Sequence, residues 1–197
     1  SLLRNQEKKG EGEPNLCLAD YIAPIESGRN DYFGAFAVTI HGADMLAAKY
    51  HEKKDEYNAI MVKILADRLA EAFAELLHHK VRKEVWGYSP TQNLSMDDII
   101  KGHYRGIRPA PGYPACPDHR GKVDIFELLS AEEHAGITLT ENLAMSPGAS
   151  VAGFYFSHLE SRYFNVGKIA PDQLADYADR LHISEEEVVK FMPTYIL

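Results

Sequence analysis

The stretch DEYNAIMVKILADRLAEAFAELLHHKVRKEV, residues 55–85, is the strongest secondary-structure signal in the chain. Its apolar residues recur at steps of three and four, which predicts one long central helix with a broad apolar stripe, typical of a helix that packs against a core. Asp55 is placed to cap the helix and Gly87 to end it. The stripe comprises Tyr57, Ile60, Met61, Ile64, Leu65, Leu69, Ala72, Phe73 and Leu76.

The remaining elements mix short strands with helices. An apolar run at residues 32–40, rich in aromatic and β-branched side chains, predicts a buried strand. Because strands and helices do not alternate strictly, the pattern favours an α+β fold with an antiparallel sheet over a doubly wound parallel one. The other predicted elements are a hairpin of 151–156 and 163–167 with its turn at 158–162, and helices from Ser95, from Val123 to His134 before Gly136, from Pro171 to Leu181, and from the capping box at Ser184.

The composition restricts the class of protein. At 197 residues the chain is long enough for one domain with a sizeable core, and 45% apolar with 25% charged residues is typical of a globular protein. The net charge of −8 disfavours binding to the phosphate backbone of nucleic acids and to anionic lipid headgroups. We therefore expect neither nucleic acid nor a membrane as a partner. No apolar run approaches the roughly 20 residues that cross a bilayer. The start lacks a signal-peptide pattern, which predicts a cytoplasmic location.

The first residues are predicted to lie outside the domain proper. Residues 4–14, RNQEKKGEGEP, are charged and contain glycine without apolar periodicity, which is typical of a solvated connector. Because the chain also opens without methionine, we expect that further polypeptide precedes it. The predicted division is 1–14 as a linker or incomplete N-terminal portion and 15–197 as the domain. Cys17 and Cys116 are too few for a disulfide scaffold and are predicted to be reduced.

The segment RPAPGYPACP, residues 108–117, carries the most informative chemistry. Its four prolines fix φ and push the residue before each of them towards extended geometry, which excludes a helix or central strand and predicts a stiff loop. Backbone groups at Ala110 and Gly112 are then available to the polar edge of a purine. Arg108 offers a planar fork for a carboxylate, and Tyr113 offers an aromatic face. The alternatives are a proline-rich surface connector or a loop that docks on another protein.

Acidic residues form a second candidate group. Asp67, Glu71 and Glu75 recur every four residues on the long helix. Glu71 falls beside the apolar stripe, where a carboxylate is costly unless it is paired, and Arg68 is near enough in sequence to pair with it. A structural ion pair or a solvated flank is favoured over acid-base chemistry.

Two adjacent aromatic residues, Tyr163 and Phe164, are candidates for a cavity wall. Neighbours on a strand face opposite sides, so one is expected to point towards the core and the other to be free to line a cavity. Packing of both in the core is an equally good interpretation.

Familiar catalytic and cofactor motifs are missing. The sequence has no G-x-G-x-x-G, phosphate loop, H-E-x-x-H or G-x-S-x-G motif. Cys116 and His119 have the spacing of zinc ligands, but a structural zinc site needs four ligands and no convincing second pair occurs. A surface loop is favoured there, and neither a metal site nor a catalytic nucleophile is predicted.

Four segments point to one family: LADYIAP at 18–24, IMVKILADRLAEAFAE at 60–75, WGY at 86–88 and GIRPAPGYP at 106–114. Together they resemble the C-terminal activation domain of cobalamin-dependent methionine synthase, from about residue 15 to the end. The resemblance implies a C-shaped α+β unit around a twisted antiparallel sheet with flanking helices. It also implies a reactivation domain that binds S-adenosylmethionine and closes over cobalamin oxidised to cob(II)alamin. A flavodoxin or flavodoxin-like reductase would supply one electron, and the sulfonium methyl group would re-form methylcobalamin.

The resemblance also implies roles for individual residues. The cobalamin-binding domain of the same enzyme would carry cobalamin, and zinc is expected only in the homocysteine domain, outside this chain. As one part of a methyltransferase, the isolated chain is not expected to turn over. The implied ligand residues are Arg108 for the methionyl carboxylate, Ala110, Gly112 and Tyr113 for the adenosyl pocket, Tyr163 and Phe164 for its wall, and Asp67 and Glu71 for electrostatic placement of the positive groups.

Two hypotheses from other classes stay open. One is a free-standing small-molecule enzyme that uses Glu71 or Asp67 as a base beneath the proline-rich loop, which strongly raised carboxylate pKa values would favour. The other is an interaction domain whose loop docks on a partner protein, which an exposed loop with Arg108 far from any cavity would favour.

Overall fold

The chain forms two compact units in the computed structural model, which describes residues 1–7 and 9–197. Each unit is assembled from segments that are distant in sequence. None of the helices in the described part of the chain is long and apolar enough to cross a membrane. The first unit comprises Ser1–Gly34, Arg105–Lys122 and Phe154–Leu197, and the second comprises Ala35–Tyr104 and Val123–Gly153.

Helices and short strands are mixed along the chain. The helices are α1 (Ala43–Glu52), α2 (Glu56–Lys80), α3 (Met96–Lys101), α4 (Gly121–Leu129), α5 (Ala131–Ala135), α6 (Pro171–Leu181) and α7 (Glu185–Phe191). The strands are β1 (Gly34–Thr39), β2 (Thr138–Leu139), β3 (Met145–Ser146) and β4 (Ser150–Tyr155). Short 3-10 turns lie at Leu18–Tyr21, Ile25–Ser27 and Pro193–Tyr195.

The strands confirm an α+β fold with small antiparallel sheets. β1 confirms the strand predicted at 32–40, and its partner is β4. Ile40 N donates to Ala149 O at 3.0 Å, so the end of β1 lies beside the start of β4, as antiparallel strands require. β2 and β3 form a second antiparallel pair.

The prediction of the second hairpin strand, at residues 163–167, is wrong. β4 matches residues 151–156, but residues 163–167 form no strand. Val166 N donates to Pro114 O at 2.9 Å, and Val166 O accepts from Gln6 N at 2.7 Å. The backbone groups of this segment therefore bind the proline-rich loop and the N-terminal segment instead of β4. The apolar pattern of a segment does not indicate which part of the chain forms hydrogen bonds with its backbone.

The first residues of the chain are packed. Leu3 belongs to a hydrophobic cluster of the first unit, Asn5 is buried, and Arg4 pairs with Cys17 in an isolated antiparallel bridge. The solvated connector predicted for residues 4–14 is therefore wrong at its N-terminal end. Composition alone missed this because the apolar anchor, Leu3, lies just before the polar stretch.

Helix α2 confirms the long helix predicted at 55–85. The side chain of Asp55 accepts from Asn58 N at 3.1 Å, which is the predicted N-terminal cap. The last turn, Val81–Val85, is π-helical, and Gly87 follows it with φ at 71°. Glycine adopts this left-handed conformation without steric cost, so it ends the helix where the sequence predicts.

The apolar stripe of α2 faces solvent, contrary to what its breadth suggests. Leu65, Leu69 and Leu76 are 54%, 57% and 53% exposed. The buried face instead carries small residues, and α1 packs against α2. Small side chains at a helix contact allow a shorter interaxial distance, which is why this face can be buried without large apolar residues. The buried alanines are Ala59, Ala66, Ala70 and Ala74.

This arrangement predicts opposite effects of substitution at two adjacent positions of α2. Ala70→Leu is expected to lower the free energy of unfolding by about 2 kcal/mol, because added methylene groups overpack a close contact. Leu69→Ala is expected to change it by less than about 0.5 kcal/mol, since Leu69 is largely in water. Urea unfolding of both variants measures the difference. A larger loss for Leu69→Ala than for Ala70→Leu would show that the leucines form the core face.

The shorter helices follow their capping signals with one exception. Ser95 and Ser184 accept the expected backbone N–H groups at the starts of α3 and α7. The single helix predicted from Val123 to His134 is wrong, because Ser130 lies at φ 47° and separates α4 from α5. Gly136 ends α5 in the left-handed conformation, as predicted.

Candidate functional site

The proline-rich loop, residues 108–117, is anchored at its start in the first unit. Ile107 and Phe156 exchange two backbone hydrogen bonds of 3.0 Å each, and Phe154 N donates to Pro109 O at 2.9 Å. The chain that continues from β4 therefore fixes where the loop begins. The loop contains neither a helix nor an extended strand, as its prolines predict.

Hydrogen bonds inside the loop use some of the backbone groups that were expected to face a ligand. Gly112 N donates to Cys116 O at 2.8 Å, and Tyr113 N donates to Ala110 O at 3.2 Å. Of the backbone groups expected to be available at these two residues, the Ala110 C=O and the Gly112 N–H are therefore already used. Among the described residues, the N–H of Ala110 and the C=O of Gly112 have no hydrogen-bond partner. The loop thus leaves one donor and one acceptor, which complement the acceptor nitrogen and amino group of adenine.

Tyr163 adjoins the start of the loop. Its hydroxyl accepts a hydrogen bond from Arg108 N at 3.0 Å. The rings of Tyr163 and Tyr113 are 57% and 61% exposed, so both present aromatic surface on the same unit as Arg108. The structure therefore brings the backbone of Arg108, at the start of the loop, together with the predicted tyrosine of the later segment.

Phe164 has different surroundings from its neighbour. Its side chain is partly buried and packs against both hydrophobic clusters of the first unit. The opposite orientation predicted for Tyr163 and Phe164 is therefore present, although the strand on which the prediction was based is not.

A buried polar group holds the end of the loop, and no sequence motif predicted it. The Asp118 carboxylate accepts from Arg120 Nε at 3.0 Å and from the hydroxyl of Tyr177, on α6, at 2.9 Å. Burial raises the pKa of the Tyr177 phenol and the Asp118 carboxylate raises it further, so the phenol keeps its proton. The loop is thereby tied to α6, 59 residues further along the chain.

Cys116 has the properties of a core residue. Its side chain is buried, and burial raises the pKa of the thiol to about 12. A thiol with so high a pKa is protonated at neutral pH and is a poor nucleophile. Within residues 1–7 and 9–197, no group of three or more His, Cys, Asp or Glu side chains is arranged to hold a metal ion.

Asp67 and Glu71 lie on α2 in the second unit, and both side chains are exposed. Of the two favoured interpretations, a structural ion pair or a solvated flank, Glu71 agrees with the second: its side chain is exposed, and no salt bridge to Arg68 occurs among the described residues. An exposed carboxylate needs no partner, because water solvates it. Both residues are available for electrostatic placement of a cation, and the structure gives no sign that either is buried for acid-base work.

Glu75 is the member of the acidic group that forms a structural ion pair. Its carboxylate lies 3.6 Å from the guanidinium of Arg82, which is 1% exposed, and accepts from the hydroxyl of Tyr104 at 3.0 Å. The Arg82 guanidinium also lies 3.7 Å from the centre of the Tyr104 ring. The ion-pair interpretation thus holds for Glu75, with Arg82 from the π-helical turn as its partner.

Comparison with known proteins accounts for nearly the whole chain. The family described as vitamin B12 dependent methionine synthase, activation domain, matches residues 1–182. Among solved structures, the MetH reactivation domain bound to AdoHcy is 54% identical, with a TM-score of 0.94. The match covers 99% of this chain and 60% of that chain, so this chain spans about three fifths of the length of that relative.

Proposed function

Since this chain belongs to the family of activation domains of vitamin B12 dependent methionine synthase, we propose that it binds S-adenosylmethionine and presents the methyl group for reactivation of the enzyme's cobalamin. One observation supports this most directly: the rigid proline-rich loop holds Arg108 beside the exposed ring of Tyr163 in a single unit. Family membership favours this function over a free-standing enzyme or a loop that docks on a partner.

Each loop residue would contact a different part of the ligand. The Arg108 guanidinium would bind the methionyl carboxylate through two parallel hydrogen bonds. The N–H of Ala110 would donate to a ring nitrogen of adenine, and the C=O of Gly112 would accept from its amino group. The exposed rings of Tyr113 and Tyr163 would cover the adenosyl group. Because the loop is held by its own hydrogen bonds, little entropy is lost when the ligand binds.

Asp67 and Glu71 would act through charge alone. A carboxylate in a solvated site attracts a unit positive charge at about 4 Å by only about 1 kcal/mol. Such an attraction favours a positively charged group but is too small to bind a ligand by itself. Electrostatic placement of the sulfonium and ammonium groups by these two residues is what the family resemblance implies.

The chemistry requires positioning more than activation. The sulfonium is already a good leaving group, so the residues named above need only hold the methyl group in line with its acceptor. On methyl transfer, the carbon–sulfur bond would break with its electron pair staying on sulfur, the acceptor would supply the pair for the new bond to carbon, and S-adenosylhomocysteine would remain in the site. Cobalamin on the cobalamin-binding domain of the same enzyme would supply the methyl acceptor, and a flavodoxin-like reductase the electron. Turnover therefore belongs to the whole cytoplasmic enzyme, and this chain alone would not turn over.

Calorimetric titration of the chain with S-adenosylmethionine tests the proposal. We expect saturable binding with one ligand per chain, and a second titration with S-adenosylhomocysteine should also saturate, because the loop contacts involve neither the methyl group nor the sulfonium. Adenosine triphosphate serves as a control nucleotide that lacks the amino-acid carboxylate. No heat with either S-adenosyl ligand at millimolar concentration would contradict the proposal.

Tyr163→Phe tests the contribution of the tyrosine hydroxyl at the start of the loop. The substitution removes the acceptor of the Arg108 N–H and keeps the aromatic ring. We expect S-adenosylmethionine affinity to fall about fivefold, the equivalent of one net hydrogen bond of about 1 kcal/mol. Tyr57→Phe, at an exposed position on α2, is the matched control and should leave affinity unchanged. Equal affinities for Tyr163→Phe and the unchanged chain would show that the hydroxyl does not hold the loop.

A further inference from the structure

The imidazole of His119 lies directly against Gly112 of the loop. A Cβ atom added at Gly112 would be 2.3 Å from His119 Cε1, 2.7 Å from Nδ1 and 3.0 Å from Nε2. Real Cβ atoms do not come this close to other heavy atoms, so the ring occupies the space that a side chain at position 112 would need. Gly112 itself lies at φ +95°, a conformation that side chains rarely adopt.

The ring of His119 is also held in place by Lys122. Lys122, near the start of α4, places Nζ 2.9 Å from His119 Nδ1. An ammonium group has donors only, so Nδ1 accepts and the neutral ring carries its proton on Nε2. Burial lowers the pKa of His119, the Lys122 ammonium lowers it further, and the Asp118 carboxylate raises it.

The chain around His119 is fixed as well. The preceding residue, Asp118, is bound to both Arg120 and Tyr177. Lys122 N also donates to His119 O at 3.1 Å. His119 therefore lies between a buried anchor and the first turn of a helix, so its ring has little freedom to move away from Gly112.

We propose that His119 is a positioning residue for nucleoside binding: its ring holds Gly112 in the left-handed conformation and thereby fixes the direction of the Gly112 C=O. This inference rests on the proposed function and adds a residue that the ligand does not need to touch. Glycine has the widest backbone freedom of any residue, and the ring removes that freedom before the ligand arrives. Without the ring, Gly112 would become ordered only when the ligand binds. The entropy cost of ordering it is then expected to weaken binding about tenfold.

Ligand affinity tests the proposal with two substitutions. His119→Ala removes the ring and is expected to weaken S-adenosylhomocysteine binding about tenfold in calorimetry. His119→Asn keeps a side-chain oxygen near the position of Nδ1 for Lys122 but lacks Cε1, the ring atom that lies closest to the position of a Cβ atom at Gly112. It should therefore bind as weakly as His119→Ala. Wild-type affinity in His119→Asn would show that the Lys122 contact alone matters and would overturn the proposal.

Stability provides a measurement that does not depend on the ligand. Gly112→Ala is expected to lower the urea midpoint more than Gly28→Ala, because Gly28 also has positive φ, at 65°, but nothing within 4 Å of an added Cβ. The double variant Gly112→Ala/His119→Ala should lose less stability than the sum of its single variants, since removing the ring removes the clash. Strict additivity would mean that the ring does not press on Gly112, and would overturn the inference.

The two hypotheses fail in different ways. If the unchanged chain binds S-adenosylhomocysteine and His119→Ala binds it equally well, the positioning role is contradicted while the proposed function stands. If the unchanged chain binds no S-adenosyl ligand, both are contradicted, even where the stability cycle shows the contact between His119 and Gly112.

Discussion

Replacement of Arg108 by alanine is expected to weaken S-adenosylmethionine binding about 30- to 150-fold. A hydrogen-bonded ion pair to a charged group contributes about 2 to 3 kcal/mol, and the methionyl carboxylate has no other cation on the proline-rich loop. Calorimetric titration of the variant measures the loss. Arg108→Lys should recover only part of the affinity, because an ammonium group does not reproduce the two parallel bonds of a guanidinium.

Arg29→Ala is the matched control for this experiment. Arg29 is an exposed arginine of the same unit, and its removal changes the net charge by the same amount. It should leave affinity within experimental error. A similar loss in both variants would mean that Arg108 acts only through overall charge. Thermal unfolding of Arg108→Ala should stay close to that of the unchanged chain, so that a binding defect is not mistaken for unfolding.

Asp118→Ala is expected to be the most destabilising of the substitutions considered, at about 3 kcal/mol of unfolding free energy. The substitution leaves the Arg120 guanidinium and the Tyr177 hydroxyl without their shared acceptor in a largely buried site. Breaking a buried pair by removing one partner costs about 3 to 5 kcal/mol, and the partial exposure of Arg120 places this case at the lower end. Urea unfolding followed by circular dichroism measures the change.

Two further variants separate charge from packing at this anchor. Asp118→Asn keeps the size of the side chain and one acceptor oxygen but loses the charge. It should therefore lower the free energy of unfolding by about half as much as Asp118→Ala. Asp179→Ala removes an exposed carboxylate from α6, the helix that carries Tyr177, and should be nearly neutral. A small loss in Asp118→Ala, comparable with that of Asp179→Ala, would show that the anchor does not stabilise the first unit.

Signals from residues that are close in sequence correctly predicted several elements of the fold. Proline stereochemistry predicted the loop at 108–117, a serine or aspartate cap predicted the starts of α2, α3 and α7, and Gly136 predicted the end of α5. The same rules failed at residues 163–167, because the partners of that backbone are Pro114 and Gln6, which lie far away in sequence. They also failed at Ser130, because no sequence pattern predicted its positive φ.

The site was predicted in part for the same physical reason. Arg108, Ala110 and Gly112 lie in one short segment, so their proximity follows from the chain itself. Asp118 and Tyr177 are 59 residues apart, and only packing of α6 brings them together. The orientation of the α2 stripe also depends on what packs against the helix, and a stripe of leucines does not distinguish a face in contact from a face in water.

The first unit draws on both ends of the chain, and this has a consequence during synthesis. Within this chain, residues Ser1–Gly34 are synthesised before α6 and α7, yet Leu3 packs in one cluster with side chains of both helices. Leu3 therefore stays without these neighbours until α6 and α7 have been synthesised. Such distant closure slows folding and prolongs exposure of apolar groups. Premature termination before α6 would leave Leu3 without most of the cluster that buries it.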